Sequence, residues 1–171
     1  MASTMSDDLK MKSTEVHWPP EFSPDDAVLF AHNEVFIHAS TVTVWQHIVE
    51  AENWPHWYTN SEDVQILDDR SGVLREGGRF RWTTFGLAIK SWVYEFLPNS
   101  RIGWFSEADG LATFHTWLLI EKLNGCQVVT EEVVKGANAV AFRDSDPGAM
   151  HRAHDLWINS LKRVSEFDNS H

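Results

Sequence analysis

The sequence predicts an α+β domain in which a curved antiparallel sheet of about six to seven strands wraps around one long C-terminal helix. Three observations predict it. Residues 63–135 are runs of alternating apolar and polar residues joined by Gly, Asn and Pro turns, the pattern of strands linked by short connections. Residues 148–167 contain no helix breaker and repeat Met150, His154, Trp157, Leu161 and Val164 at helical spacing. The 171 residues fit one domain, and a sheet of that length must bury a face that only the last segment is long enough to cover.

In order along the chain, residues 1–26 read as a flexible arm. They are polar, and Pro19, Pro20 and Pro24 oppose a regular element. His17-Trp18-Pro19-Pro20 offers a tryptophan that docks on the domain or hangs in an extended tail. The domain proper spans residues 27–168, with 169–171 as a tail. Residues 28–39 form a first strand with Val35 and Ile37 on one face and Phe36 and His38 on the other. Ser40 is an N-cap for a helix over residues 41–50, whose apolar stripe is Val44, Trp45, Ile48 and Val49. Pro55 opens a second short helix.

Strands follow over residues 63–67, 79–85, 87–97, 101–107, 112–123 and 127–135. Gly86, Pro98-Asn99-Ser100, Asp109-Gly110 and Asn124-Gly125 supply the turns. Successive strands joined this tightly favour an antiparallel meander. Residues 138–147 read as a linker, and Pro147 marks the start of the last helix.

Composition narrows the function. The net charge is −11, and no Lys/Arg cluster reverses it locally, which argues against nucleic acid or an anionic membrane as the main partner. No stretch reaches the about 20 apolar residues of a membrane span, and the N-terminus has no signal-peptide pattern. A cytoplasmic monomer or homodimer is expected. The single Cys126 falls at a hairpin turn with no base beside it and reads as structural. Nine Trp and ten Phe against two Tyr can fill a core, line a ligand cavity, or both.

Carried by several short motifs, the chain resembles the SRPBCC superfamily of START and birch-pollen-allergen-like domains, and within it the polyketide cyclase/dehydrase-like branch. The motifs are Ala39-Ser40-Thr41 leading to Val44-Trp45, Trp54-Pro55-His56-Trp57, and Gly78-Arg79-Phe80-Arg81-Trp82. They continue with Ser91-x-Val93-x-Glu95-x-x-Pro98-x-x-Arg101-Ile102-x-Trp104, His115-x-Trp117, and Thr130-Glu131-Glu132 followed by Gly136. The resemblance runs from about residue 28 to 167. It implies a helix-grip fold with an apolar cavity between the concave sheet and the terminal helix, which relatives use for lipids, steroids, polyketides or hormones. It does not specify an activity, because one fold carries many functions.

Three polar residues stand where apolar ones are expected. His154 lies on the stripe of the last helix, either as a core histidine bonded to a backbone carbonyl or as a hydrogen-bonding group in the cavity. His115 shares a strand face with Trp117 and Leu119. Counting out from a turn at Asn124-Gly125 pairs it near Val134 and leaves Glu132 one diagonal away. A His115–Glu132 pair is either an acid/base unit or a polar bridge between strands. The resemblance implies that relatives often carry His and Glu at these positions.

Trp82, Trp104, Trp117 and Trp157 are the expected cavity walls, with Met150 beside them and Ser91 offering a hydroxyl. Trp54 and Trp57 are placed near the mouth, and Arg143 near an entrance. His151 and His154 share a helix face, but no second cluster supports a metal there, and neither metal nor cofactor is expected. Nucleophile, phosphate-loop and dinucleotide motifs are missing from the sequence. The readings left open are an enzyme that cyclises or dehydrates a polyketide-like chain, a non-catalytic carrier or sensor, and a co-chaperone-like interaction module.

Overall fold

The computed structural model describes residues 4–169. Alternation of apolar residues along seven segments produces one antiparallel sheet: β1 (Leu29–Ile37), β2 (Glu62–Ile66), β3 (Arg79–Thr84), β4 (Leu87–Leu97), β5 (Arg101–Ala108), β6 (Leu111–Lys122) and β7 (Gly125–Lys135), in the order β1-β7-β6-β5-β4-β3-β2. Every neighbouring pair is antiparallel. Register shifts between Glu62 and Gln65 and between Val93 and Glu95 mark bulges, which bend and twist the strands that carry them.

Helices occupy the concave side. Helix α2 (Thr41–Val49) begins where expected, with Ser40 Oγ accepting the Thr43 amide at 3.1 Å. A 3-10 turn, Ala51–His56, follows. Pro55 lies inside that turn instead of opening it, and Trp54 is driven into the centre of the core, where its indole donates to Ile48 O at 2.9 Å. The last helix, α4 (Ala149–Asn169), buries Met150, His154, Trp157, Ile158 and Leu161. Its four large apolar side chains contribute roughly 1.5–3 kcal/mol each on burial. The expected linker before it contains a short helix, α3 (Ala139–Ser145).

The N-terminal segment differs from a loose arm. Thr4 and Asp7 form a capping box that starts helix α1 (Met5–Met11). Met5 joins a small cluster with Leu29, Val134 and Met150, and Asp8 meets His151 on α4 at 3.0 Å. The chain then crosses the convex face. Ser13 N donates to Glu131 Oε1 at 2.6 Å, and Val16 packs with Leu118 and Val129. Trp18 lies edge-on against Phe30 and Phe114, and Phe22 lies 5.4 Å from Phe105. Those strand residues are apolar on their outer face, so something had to cover them, and the prolines that oppose a helix allow the extended path that does so.

The β6–β7 hairpin is also shifted from expectation. Lys122 pairs with Gly125, so the two-residue loop is Leu123-Asn124, with Asn124 at φ 65°. Gly125 is a strand residue whose missing side chain lets β1 approach: a Cβ there would stand 2.3 Å from Ile37 O. Cys126 is accordingly a buried strand residue and not part of the turn.

Trp18→Ala is expected to lower the unfolding free energy by about 1.5–3 kcal/mol, the worth of burying a large apolar side chain, in urea titrations. Removing residues 1–22 is expected to lower it further; an arm without docking energy would leave both curves unchanged.

Candidate functional site

Side-chain alternation sends His115, Trp117, Glu132, Val134, Trp104, Ser106 and Trp82 to the concave face. Tryptophans fill one end of the space beneath α4. Trp54 touches Trp82, Trp104 and Trp157 at ring-centroid distances of 5.5, 5.8 and 5.2 Å. The other end is lined by smaller side chains, Thr84, Ser106, Ala108, Thr113 and Ala149, and there a cavity of about 530 Å³ remains. This volume falls in the range that holds a small organic ligand. Trp82, Trp104, Trp157, Ile89 and Met150 form apolar walls. The opening lies among Phe85, Leu87, Asp146, Arg152 and Leu156, and Phe85 at the β3–β4 turn is largely exposed.

His115, Glu132 and His154 line this cavity together. The corrected hairpin register sets His115 directly opposite Glu132, not one diagonal away. His154 descends from α4 and places Nε2 2.8 Å from Glu132 Oε2, while His115 Nδ1 stands 3.8 Å from the same oxygen. The two imidazoles lie nearly parallel, 19° apart, with centroids 4.7 Å apart. Their ligating atoms and a carboxylate oxygen all fall within 4.8 Å of one another, and among the described residues no other three His, Cys, Asp or Glu side chains converge this way.

Hydrogen bonding fixes one tautomer. Thr130 Oγ1 donates to Thr116 O at 3.1 Å, so at 2.7 Å it accepts from His115 Nε2–H. The bare lone pair of His115 is therefore on Nδ1, facing Glu132. Burial pushes His115 down to about 3, against the attraction of Glu132, so the ring is neutral at ordinary pH. Burial alone would raise the Glu132 carboxyl. The hydrogen bond that His154 donates outweighs it and holds Glu132 below the usual carboxylate range. An ionised carboxylate thus sits between two imidazoles at the wall of an apolar cavity.

Other groups on the lining lack partners. His154 Nδ1, Trp82 Nε1 and Thr84 Oγ1 are buried without a hydrogen bond. Such groups normally find a partner, and all three belong to residues of the lining. Tyr58, which the sequence pattern did not single out, also lines it, stacked 2° from parallel on Trp157 at 4.8 Å, and burial pushes its hydroxyl up to about 12.

The other expected ligand contacts divide. Trp82, Trp104, Trp157 and Met150 are on the lining. Ser91 is not; it lies behind Ser106, bonded to it at 2.6 Å. Trp117 is buried in the core beyond the lining, and Trp57 packs near His47, 6.4 Å between ring centroids. Arg143 pairs with Asp144, while Arg152, paired with Asp146, stands at the mouth. His151 turns to Asp8 and does not join His154.

Solved structures now bear on this geometry. A hypothetical protein from Helicobacter pylori is 29% identical, with TM-score 0.82 over 90% of this chain and 98% of its own. A START superfamily protein from Mycobacterium smegmatis is 16% identical, with TM-score 0.59 over 81% of this chain and 95% of its own. The chain has an SRPBCC-like, helix-grip fold. The di-domain ARO/CYC StfQ of the steffimycin biosynthetic pathway shares this helix-grip fold at 12% identity and TM-score 0.70, over 86% of this chain and 54% of that one. No family model matches the chain, and no curated protein matches it. Among the described residues no helix is long and apolar enough to cross a membrane.

The buried neutral histidine has a consequence for stability. Unfolded, His115 takes up a proton below its ordinary value of 6.5; folded, it does so only near 3. Its contribution is complete above pH 6.5 and is lost as pH falls toward 3. With chelator present, the unfolding free energy is expected to decline across that window with a slope of up to about 1.4 kcal/mol per pH unit from this group. The His115→Gln variant should show a shallower decline, and equal slopes would contradict a buried neutral ring.

Proposed function

We propose that the protein binds an aromatic or polyketide-like small molecule in the cavity and acts on it as a cyclase/dehydratase-type enzyme through a buried acid/base unit. The observation that carries this reading is the Glu132–His154 hydrogen bond at the cavity wall. Glu132 accepts from His154 Nε2–H, which leaves the lone pair on Nδ1, an atom with no other partner. A carboxylate placed this way orients the ring and stabilises the cation formed when Nδ1 takes a proton. His115, stacked beside it and neutral, adds no opposing charge.

The chemistry suited to this arrangement is proton removal next to a carbonyl followed by ring closure or loss of water. The tryptophan walls would hold a flexible chain in one reactive shape, itself a large part of catalysis. The likeness to an ARO/CYC protein of a polyketide-type pathway supports the substrate class at the level of fold.

Titration of chelator-treated protein with aromatic polyketides, followed by tryptophan fluorescence, tests the proposal. One-to-one quenching is expected, weakened by Ala149→Trp, which narrows the cavity. Glu132→Gln is expected to keep affinity within several-fold and lower turnover by about 10²–10⁴. Binding without turnover in the wild type would make the protein a carrier, and no binding of any such compound would remove the cavity from its function.

A further inference from the structure

We propose that His115, Glu132 and His154 form a binding site for one divalent transition-metal ion, with open coordination positions facing the cavity. The inference goes beyond the proposed acid/base role and does not depend on an organic ligand.

Three features carry it. The first is convergence. Tetrahedral zinc with nitrogen and oxygen ligands at about 2.0–2.2 Å separates those ligands by roughly 3.3 Å. Here the carboxylate oxygen is 2.8 Å from one imidazole nitrogen and 3.8 Å from the other, and the whole set lies within 4.8 Å. Small rotations of three side chains close the set around an ion, and the elements that hold them need not move.

The second is the outer layer of hydrogen bonds. Metal-bound histidines characteristically donate their other ring N–H to an oxygen, which fixes the tautomer and aims the lone pair. His115 already does this through Thr130, which is anchored in turn on Thr116 O. Its Nδ1 lone pair points to the carboxylate before any ion arrives. His154 lacks such a partner at Nδ1. When Nε2 binds the ion, its proton relocates to Nδ1, so the ring stays a neutral ligand.

The third is donor chemistry. Two neutral imidazoles and one carboxylate carry a single negative charge, which a dication overcompensates by one. That set suits zinc, cobalt or ferrous iron and not calcium or magnesium, which take oxygen ligands. Three protein ligands leave at least one position open, the pattern of sites that act on a substrate and not of closed structural ones. The open side is the cavity, where a substrate oxygen would bind.

Equilibrium dialysis of chelator-stripped protein against zinc or cobalt alone, read by elemental analysis and by the visible absorption of cobalt, tests the site. One ion per chain at micromolar affinity or tighter is expected. Glu132→Gln should weaken uptake by at least about 100-fold, and Thr130→Val, which changes only the outer layer, by about 10–100-fold. His151→Gln, on the same helix but turned to Asp8, should leave it unchanged. Circular dichroism confirms that each variant is folded; if Glu132→Gln is not, Thr130→Val and His115→Gln carry the test. No stoichiometric uptake by the wild type, or uptake equal in wild type and Thr130→Val, overturns the proposal. Because organic-ligand binding is measured separately in chelator, either result leaves the cavity reading to its own test.

Discussion

The structure depends on a reciprocal requirement between His154 and Glu132. Helix α4 must bury its stripe against the concave sheet, and that stripe contains an imidazole. Burying it without a partner costs free energy. Glu132 is the partner at 2.8 Å, yet Glu132 is itself a carboxylate on the inner face of a sheet and needs a donor. Removing either leaves the other desolvated, a loss of about 1–3 kcal/mol for a buried polar group without its partner. The bond therefore ties α4 to β7, while the helix packs mainly along β1. Because Glu132 stands opposite His115 in the hairpin, it also fixes which residue of β6 meets the helix.

From that tie the interior divides by side-chain size. On one side Trp54, Trp82, Trp104, Trp117 and Trp157 pack in edge-on and tilted contacts and consume the space beneath the helix. On the other, serine, threonine and alanine occupy positions where a tryptophan would have closed the gap. The cavity is thus built into the order of residues along the strands and not left by loose packing. The polar triad lies on its wall, so a guest meets aromatic walls and charge-bearing groups at once.

Much of this was legible in the sequence, and the failures have physical causes. Period-two alternation placed seven strands to within a residue or two of their observed ends, and the helical repeat from Met150 to Val164 placed α4. The same repeat brought His154 to notice. The hairpin register was not legible from the Asn-Gly pair, because Gly125 answers to the approach of Ile37 O and not to the turn. Two residues of pairing hung on that difference. The Thr4–Asp7 capping box that starts α1 was overlooked, because the polar residues and prolines of the segment suggested a tail. What covers a convex sheet face depends on tertiary contact, which single-segment patterns do not encode. Trp57 and Ser91 share motifs with lining residues and yet stand off the cavity, since alternation selects a face and not a position on it.

The triad also joins proton and metal chemistry in one place. Both need ionised Glu132 and neutral imidazoles, and burial keeps His115 in that form far below its ordinary value. They differ in which lone pair of His154 is used. With Nε2–H donated to Glu132, the basic atom is Nδ1; with an ion on Nε2, the proton moves to Nδ1 and the base is gone. Acting as a base and holding a metal ion are therefore alternatives at this residue. His115 cannot exchange roles with it, because Thr130 holds its proton on Nε2. The asymmetry between two histidines on one carboxylate, one locked by a threonine and one free to switch, follows from which strand and which helix each stands on, and it is what gives the cavity wall its choice of chemistry.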